Sequence, residues 1–474
     1  LGEDRSILRH FVEDFGSRPG NARLEAPWTE HTGEELTQWI TSRARVDEFW
    51  RSSNTLQPHV RLLGPISFDD SPPPILLPGG RWLIGTQDSQ EEVNIYALDL
   101  DSPLAEPDLE LVISAKMDVE ANHCVVHWID YSQPRLTFRI AIVSTIGTFA
   151  VSALSLVSQW PLDRGLEPTM PVHIYHVEVE GHGQEAKLVS RHLTTLYRAC
   201  PGRFLDAGLD GENFIEIRRL PGSIMTVIKY WNDRQPIPQC SFRPLSVEIF
   251  PAKTVSLPSV PQMSVCMTCH KAGVQILWGT HIIVFTEDAA LIWSIDQIKR
   301  SDPESESVRG EWIQPLHSLH TPWARTGSGW DGCPFNVTIS AFLHSLSHPA
   351  RLDDAVQYTF AVHNKIFGLH IPRNLGIAPQ LLHLLDEPNT LRAPVGTGYL
   401  RSILVHEESI VAISHMPDVW DNSPQSRTPL IRKVYNGSWK PVDNFLQSAC
   451  VGYSEELGRI IVMCRHHYVL IELA

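Results

Sequence analysis

Cys266-Met267-Thr268-Cys269-His270 is the tightest cluster of reactive side chains in the chain. The C-x-x-C-H spacing is that of covalent haem attachment, where two thiols form thioethers and the histidine binds iron. A structural zinc site would need two further ligands from elsewhere. The simpler reading makes the cysteines small apolar residues of a strand or strand end, and no haem or metal is expected here. His123, Cys124 and His127 form a second cluster, with the two histidines on one face of an extended strand. Cys464, His466 and His467 form a third, in the turn of the last hairpin. Turn and surface histidines far outnumber metal ligands, so both clusters are read as structural.

Other chemistry has little to build on. No G-x-S-x-G elbow, H-E-x-x-H helix or phosphate-cradling Gly-Lys loop occurs. Gly327-Ser328-Gly329-Trp330-Asp331-Gly332 is glycine-rich but lacks the basic residue and following helix of a phosphate cradle, and reads as a flexible loop. Carboxylates are plentiful, but sequence does not pair them in space, so a glycosidase-type site is unsupported. We therefore expect no catalytic, cofactor-binding or metal-binding residue.

The elements that would position any site must then carry the function. The 474 residues are 43% hydrophobic and 20% charged, a globular balance. Proline (35) exceeds glycine (29), which suits short strands and turns better than helices. Fourteen tryptophans suit cores between sheets. The formal charge of −15 argues against a fold-wide nucleic-acid surface. No run of 18 apolar residues is present: residues 140–160 are interrupted by Ser144, Thr145, Thr148, Ser152 and Ser155. No membrane partner is therefore expected. Eight cysteines without framework spacing and the lack of a basic-then-apolar leader point to an intracellular protein, in cytoplasm or nucleus. On that reading the sequons at Asn336 and Asn436 are chance matches. The chain begins with Leu1, so further residues are expected upstream.

Residues 1–57 read as a helical segment. Ser6 would cap a short helix carrying Ile7, Leu8, Phe11 and Val12, with Gly16 as its stop. Leu36, Trp39, Ile40, Val46 and Trp50 lie mainly on one side of a second helix from about 33 to 51. That face serves either as a cap on the main domain or as the end of an adaptor-binding module.

From residue 58 the pattern is β. Residues 75–100 (ILLPGGRWLIGTQDSQEEVNIYALDL) hold an apolar run, a Pro78-Gly79-Gly80 turn and two strands. In the second strand Val93, Ile95 and Ala97 fall on one face, and Tyr96, Leu98 and Leu100 on the other. Apolar residues on both faces fit a strand inside stacked sheets. Such a hairpin needs copies of itself. Copies recur at 125–156, 214–250, 274–295, 358–371, 399–415 and 460–473, with 301–311 and 417–429 read as exposed insertions. The expected fold is an all-β propeller of seven, alternatively six, four-stranded blades behind the helical segment. Strand 59–63 would pair with the last blade and close the ring, removing an exposed edge.

The LPGGRWL phrase at 77–83, the strand ending Tyr96-Ala97-Leu98-Asp99-Leu100 and the final YSEELGRIIVMCRHHYVLIEL at 453–473 resemble a family of fungal, mainly mushroom-type, F-box proteins with divergent WD-repeat-like propellers. Phe49-Trp50 resembles the helix that joins F-box to propeller in that family. The F-box motif itself is not visible in residues 1–50, where 1–15 would at most follow it. The resemblance implies a non-enzymatic recognition propeller: the substrate-recognition subunit of an SCF-type ubiquitin ligase, with a Skp-type adaptor bound through the N-terminal region. Trp39, Trp50, Trp323, Trp330 and Trp420 are candidate partner-binding anchors. Trp82 lies within a strand, where a core role is expected. The rival expectations are a hydrolase or lyase with its site in the central channel, and a pure scaffold.

Overall fold

The structure is a computed structural model. It describes residues 4–17, 24–51, 58–63, 68, 74–88, 92–102, 109–116, 122–145, 169–199, 203–219, 225–232, 245–248, 273–285, 289–295, 315–320, 350–351, 355–362, 365–386, 395–397, 401–405, 409–414, 430–436, 449–464 and 467–473. The haem-like cluster at Cys266–His270, together with His466, Trp323, Trp330, Trp420 and the insertions at 301–311 and 417–429, lies outside these residues.

Two helices come first, α1 (Arg5–Ser17) and α2 (Gly33–Arg51). The cap of α1 is Asp4 and not Ser6: its carboxylate accepts the Ser6 backbone N–H (2.9 Å) and hydroxyl (2.6 Å). A carboxylate at that end also suits the helix dipole. The helix runs on through Gly16 to Ser17. α2 starts with a reciprocal capping box. Thr32 Oγ1 accepts the Glu35 N–H (3.2 Å), and Glu35 Oε2 accepts the Thr32 N–H (2.6 Å). Leu8, Leu24 and Leu36 form a small core between the helices, flanked by Val12, Trp28, Trp39 and Ile40.

The described strands form seven four-stranded antiparallel sheets. The first holds β2 (Ile75–Leu76), β3 (Trp82–Asp88), β4 (Glu92–Asp99) and β5 (Leu109–Lys116); the second holds β6 (Asn122–Ile129), β7 (Thr137–Thr145), β8 (Thr169–Glu180) and β9 (Lys187–Ala199). The third comprises β10 (Arg203–Leu209), β11 (Asn213–Arg219), β12 (Met225–Asn232) and β13 (Leu245–Glu248), and the fourth β14 (Gly273–Leu277), β15 (His281–Phe285), β16 (Ala289–Ser294) and β17 (His317–His320). In the fifth are β18 (Ala350–Arg351), β19 (Ala355–Val362), β20 (Lys365–Pro372) and β21 (Gln380–Asp386); in the sixth, β22 (Val395–Thr397), β23 (Arg401–Val405), β24 (Ser409–Ser414) and β25 (Leu430–Asn436). The seventh contains β26 (Ala449–Ser454), β27 (Arg459–Cys464), β28 (His467–Glu472) and, on its outer edge, β1 (His59–Leu62). β1 pairs with β28 from His59 opposite Glu472 to Leu62 opposite Val469, so one sheet is made from both ends of the β region.

Among the described residues the first sheet buries both faces against its neighbours, which explains the two apolar faces of β4. Val93, Ile95 and Ala97 enter the core between the first and second sheets. Leu98 and Leu100 enter the core between the seventh and first, with Leu83, Ile461 and Leu470. Separate cores fill the seams between second and third, fourth and fifth, and sixth and seventh sheets. β10 and β14 touch across the third–fourth seam, and β19 and β22 across the fifth–sixth. The chain is thus an all-β propeller with a short helical segment before it. No helix among the described residues is long and apolar enough to cross a membrane.

Candidate interaction site

The helical segment docks on the ring face that carries the turns between first and second and between third and fourth strands. Its anchor is Arg81, which follows the Pro78-Gly79-Gly80 turn. Gly79 and Gly80 both have positive φ (90° and 70°), and a Cβ on Gly80 would lie 2.8 Å from Leu457 and Ser454 side-chain atoms. Glycine here therefore sets the turn and lets the first and seventh sheets touch. The turn delivers Arg81 to a buried position between three carboxylates. Its Nε and one terminal nitrogen bond Asp99 as a fork (2.8 and 2.6 Å), and the other terminal nitrogen bonds Glu25 (2.6 Å) and the Gly183 carbonyl (2.7 Å). Asp101 lies 4.0 Å away. One side chain thereby joins the helical segment, the first sheet and the β8–β9 turn of the second.

Arg459 repeats the device from the seventh sheet. It bonds Asp101 (2.5 Å), Glu472 (2.9 Å) and the Gly80 carbonyl (3.0 Å). Burial works against the charge on Arg81 and on Arg459, but the surrounding carboxylates outweigh it and raise both pKa values. The excess of carboxylates has a counterpart at Glu25. Burial pushes its pKa up to about 7, against the pull of Arg81 and with the help of Asp101 and Asp99. Arg43 of α2 is buried under the same face. Burial lowers its pKa to about 9; its guanidinium stacks 3.4 Å from the Trp39 ring and donates to the Trp39 carbonyl (3.1 Å).

Apolar packing completes the joint. Val46, Phe49 and Trp50 from the last turns of α2 enter the core with Ile403, Ile410, Ile460, Val462 and Leu473. Arg401 lies over the Trp50 ring and pairs with Glu455 (2.7 Å). Further along, Arg135 pairs with Glu30, and the Leu136 N–H donates to the Glu25 carbonyl. Away from the ring, α1 and α2 leave a polar cleft of about 870 Å³ bordered by Arg5, Glu34, Gln38 and Arg45.

The expected anchors separate under this geometry. Trp50 is 6% exposed and belongs to the core, so its ring is occupied by packing and is not offered to a partner. Trp39 is half-buried, held between Arg43 and the edge of Phe15. Trp82 is buried between the first and second sheets, in the core role read for it. His123 and His127 lie on β6 four residues apart, on the side of Val125, which packs toward the first sheet; Cys124 packs the other way, toward the third. Cys464 and His467 are paired in the backbone register at the end of the last hairpin. Among the described residues no three His, Cys, Asp or Glu side chains converge in a way that could hold a metal ion. On the inner strands, the Asp206 carboxylate accepts the Val274 N–H (2.7 Å), tying the third sheet to the fourth. Burial raises its pKa to about 7.

Sequence reasoning missed Glu25, Arg43, Arg81 and Arg459 as the joint. The one local signal was a charged residue set between a two-glycine turn and a buried strand.

No protein-family model matches the chain, and comparison with curated proteins gives no match. Among solved structures, several have partly similar backbones. The WD40 domain of SCAP from fission yeast is 8% identical, covers 87% of this chain and 84% of its own, and has a TM-score of 0.38. The AfRom2 CNH domain is 10% identical, with 88% and 99% covered and a TM-score of 0.33. Prolyl oligopeptidase B from Galerina marginata is 10% identical, with 92% and 53% covered and a TM-score of 0.31. At these values the likeness carries no argument about function.

Proposed function

We propose that the seven sheets are the seven blades of one ring, and that the protein is a non-enzymatic interaction propeller. In the finer form of this reading it is the substrate-recognition subunit of an SCF-type ubiquitin ligase acting inside the cell, with a Skp-type adaptor held through the N-terminal region. The observation that carries the proposal is the joint. A helical segment bonded to Arg81 through Glu25, and packed into the sixth–seventh core through Val46, Phe49 and Trp50, is fixed on the ring at two places, as a part that must hold two partners at a set spacing would be. Its attachment also commits one face of the ring. The three longest connections between strands, 146–168, 249–272 and 321–349, join strand ends on the other face. That face is where a protein partner would be gripped.

The test is co-expression of the chain, as its gene encodes it, with a Skp-type adaptor, followed by size-exclusion chromatography. Co-elution supports the ligase reading. A folded chain that elutes alone overturns it and leaves the interaction propeller, which proximity labelling from the 321–349 side would then examine.

A further inference from the structure

The start of α2 meets the second sheet through two histidines and one carboxylate. His31 is 7% exposed, and its ring lies edge-on to His182 of the β8–β9 turn at 5.3 Å between centroids. Glu35 sits between them, with Oε2 4.0 Å from His31 Nδ1 and Oε1 3.8 Å from His182 Nε2. The same Oε2 closes the α2 capping box. His31 Nε2 is buried without a hydrogen-bond partner. The turn fits closely: a Cβ on Gly183 would lie 2.9 Å from Glu35 Oε1, and the Gly183 carbonyl accepts from Arg81.

We propose that this His31–Glu35–His182 contact is an acid-sensitive latch, which holds the N-terminal helical segment against the second sheet at neutral pH and lets it lift on acidification. The inference goes beyond the interaction reading and does not depend on what the ring binds. Its basis is a count of charges. With neutral rings, Glu35 serves the helix cap and lies between two uncharged edges. With His31 protonated, a cation and an N–H at Nε2 with no acceptor are both buried. Separation of the segment from the turn hydrates both rings.

The other groups around His31 have been weighed. Burial disfavours its charge most, and His182 adds to that. Glu35, the Ala26 carbonyl and Glu30 favour the charge, and burial prevails to lower the pKa. Arg5 of α1 donates to the His31 carbonyl, and Arg135 of the second sheet holds Glu30. Because the docked pKa lies below the ordinary value of 6.5, the contribution to docking is complete above 6.5 and is lost as pH falls. Glu25, in the same joint, works in the opposite direction. The effect must therefore be read as a difference between variants.

Hydrogen exchange of the full chain at pH 7.5 and 5.5, corrected for intrinsic rates, tests this. The amides to follow lie in residues 32–36 and 182–186, where Glu35, Leu36, Glu185 and Ala186 are hydrogen-bonded. Protection there should fall by more than twofold at pH 5.5 in the wild type, in the direction set by the lowered His31 pKa, and by less than twofold in His31→Phe. Equal losses in both proteins, or no loss in the wild type, would overturn the latch. If His31→Phe is already unprotected at pH 7.5, His182→Gln decides. A reduced acid loss in that variant supports the latch, and a wild-type loss overturns it.

Discussion

At Arg81 one guanidinium answers for three acidic side chains, and that imbalance sets the sign of each substitution. Replacing Arg81 by Met leaves Glu25 and Asp99 facing each other in a site where the arginine side chain was 7% exposed. Removing one partner of a buried pair typically costs about 3–5 kcal/mol, because the remaining charge stays desolvated. Urea unfolding of Arg81→Met should show a loss of that size; a loss under about 1 kcal/mol would mean that the network is solvated. Glu25 behaves differently. Its pKa is raised from the ordinary 4.5 to about 7, so the folded protein binds more protons than the unfolded chain between those values. Stability therefore falls as pH rises from 4.5 to 7 and is flat beyond. Glu25→Gln should lessen this fall relative to the wild type, measured as unfolding free energy at pH 5 and pH 7.5, with Asp206 and Glu456 supplying the remainder. An unchanged slope would place the titration elsewhere, with Asp206 and Glu456 as the other carboxyls raised by burial to about 7.

At the scale of elements, α2 does two jobs with its two ends. Its first turn is fixed by the Thr32–Glu35 box, and its last turns by Phe49 and Trp50 in the sixth–seventh core. Thr32→Ala removes one cap and should cost about 1 kcal/mol. Phe49 is 1% exposed, so Phe49→Ala should cost about 3–5 kcal/mol and expose α2 to hydrogen exchange. If protection in α2 survived Phe49→Ala, Val46 and Trp50 in the same core, with the Thr32–Glu35 box, would suffice to hold the helix. Much of this element was legible, because Val46 and Trp50 repeat at helical spacing on the face that is buried. The cap of α1 was not legible: Asp4 and Ser6 both carry capping chemistry, and only the backbone shows that Ser6 donates to Asp4. Trp50 was open to two readings for a related reason. A helix face tells that it is covered, not whether ring or partner covers it. The two apolar faces of β4 were readable for the opposite reason, since any strand between two sheets must show both.

For the whole molecule, the joint was invisible in the sequence because its members are remote. Arg81 reaches Glu25 across 56 residues and Gly183 across 102, and Arg459 reaches Gly80 across 379. No local pattern encodes such meetings. Period-two alternation, by contrast, announces each strand on its own. Among the described strands the most distant pairing is that of β1 with β28, and it has an energetic consequence. Four residues from one end of the β region and six from the other share one sheet, with Leu63 buried behind them in the seventh–first core. If that pairing holds the ring shut, linking it covalently removes most of the entropy of the opened chain. Leu62 and Val469 stand opposite each other, and Leu62 is 49% exposed, so oxidant can reach a cysteine there. A Leu62→Cys/Val469→Cys protein should gain about 6 kcal/mol on oxidation by the chain-entropy relation for a loop of roughly 400 residues. The check is the urea midpoint of oxidised against reduced protein. A gain confined to a few tenths of a kcal/mol, in a protein shown to be cross-linked, would mean that the ring opens first at another seam. The fifth–sixth seam, where β19 meets β22, would then be the next to staple.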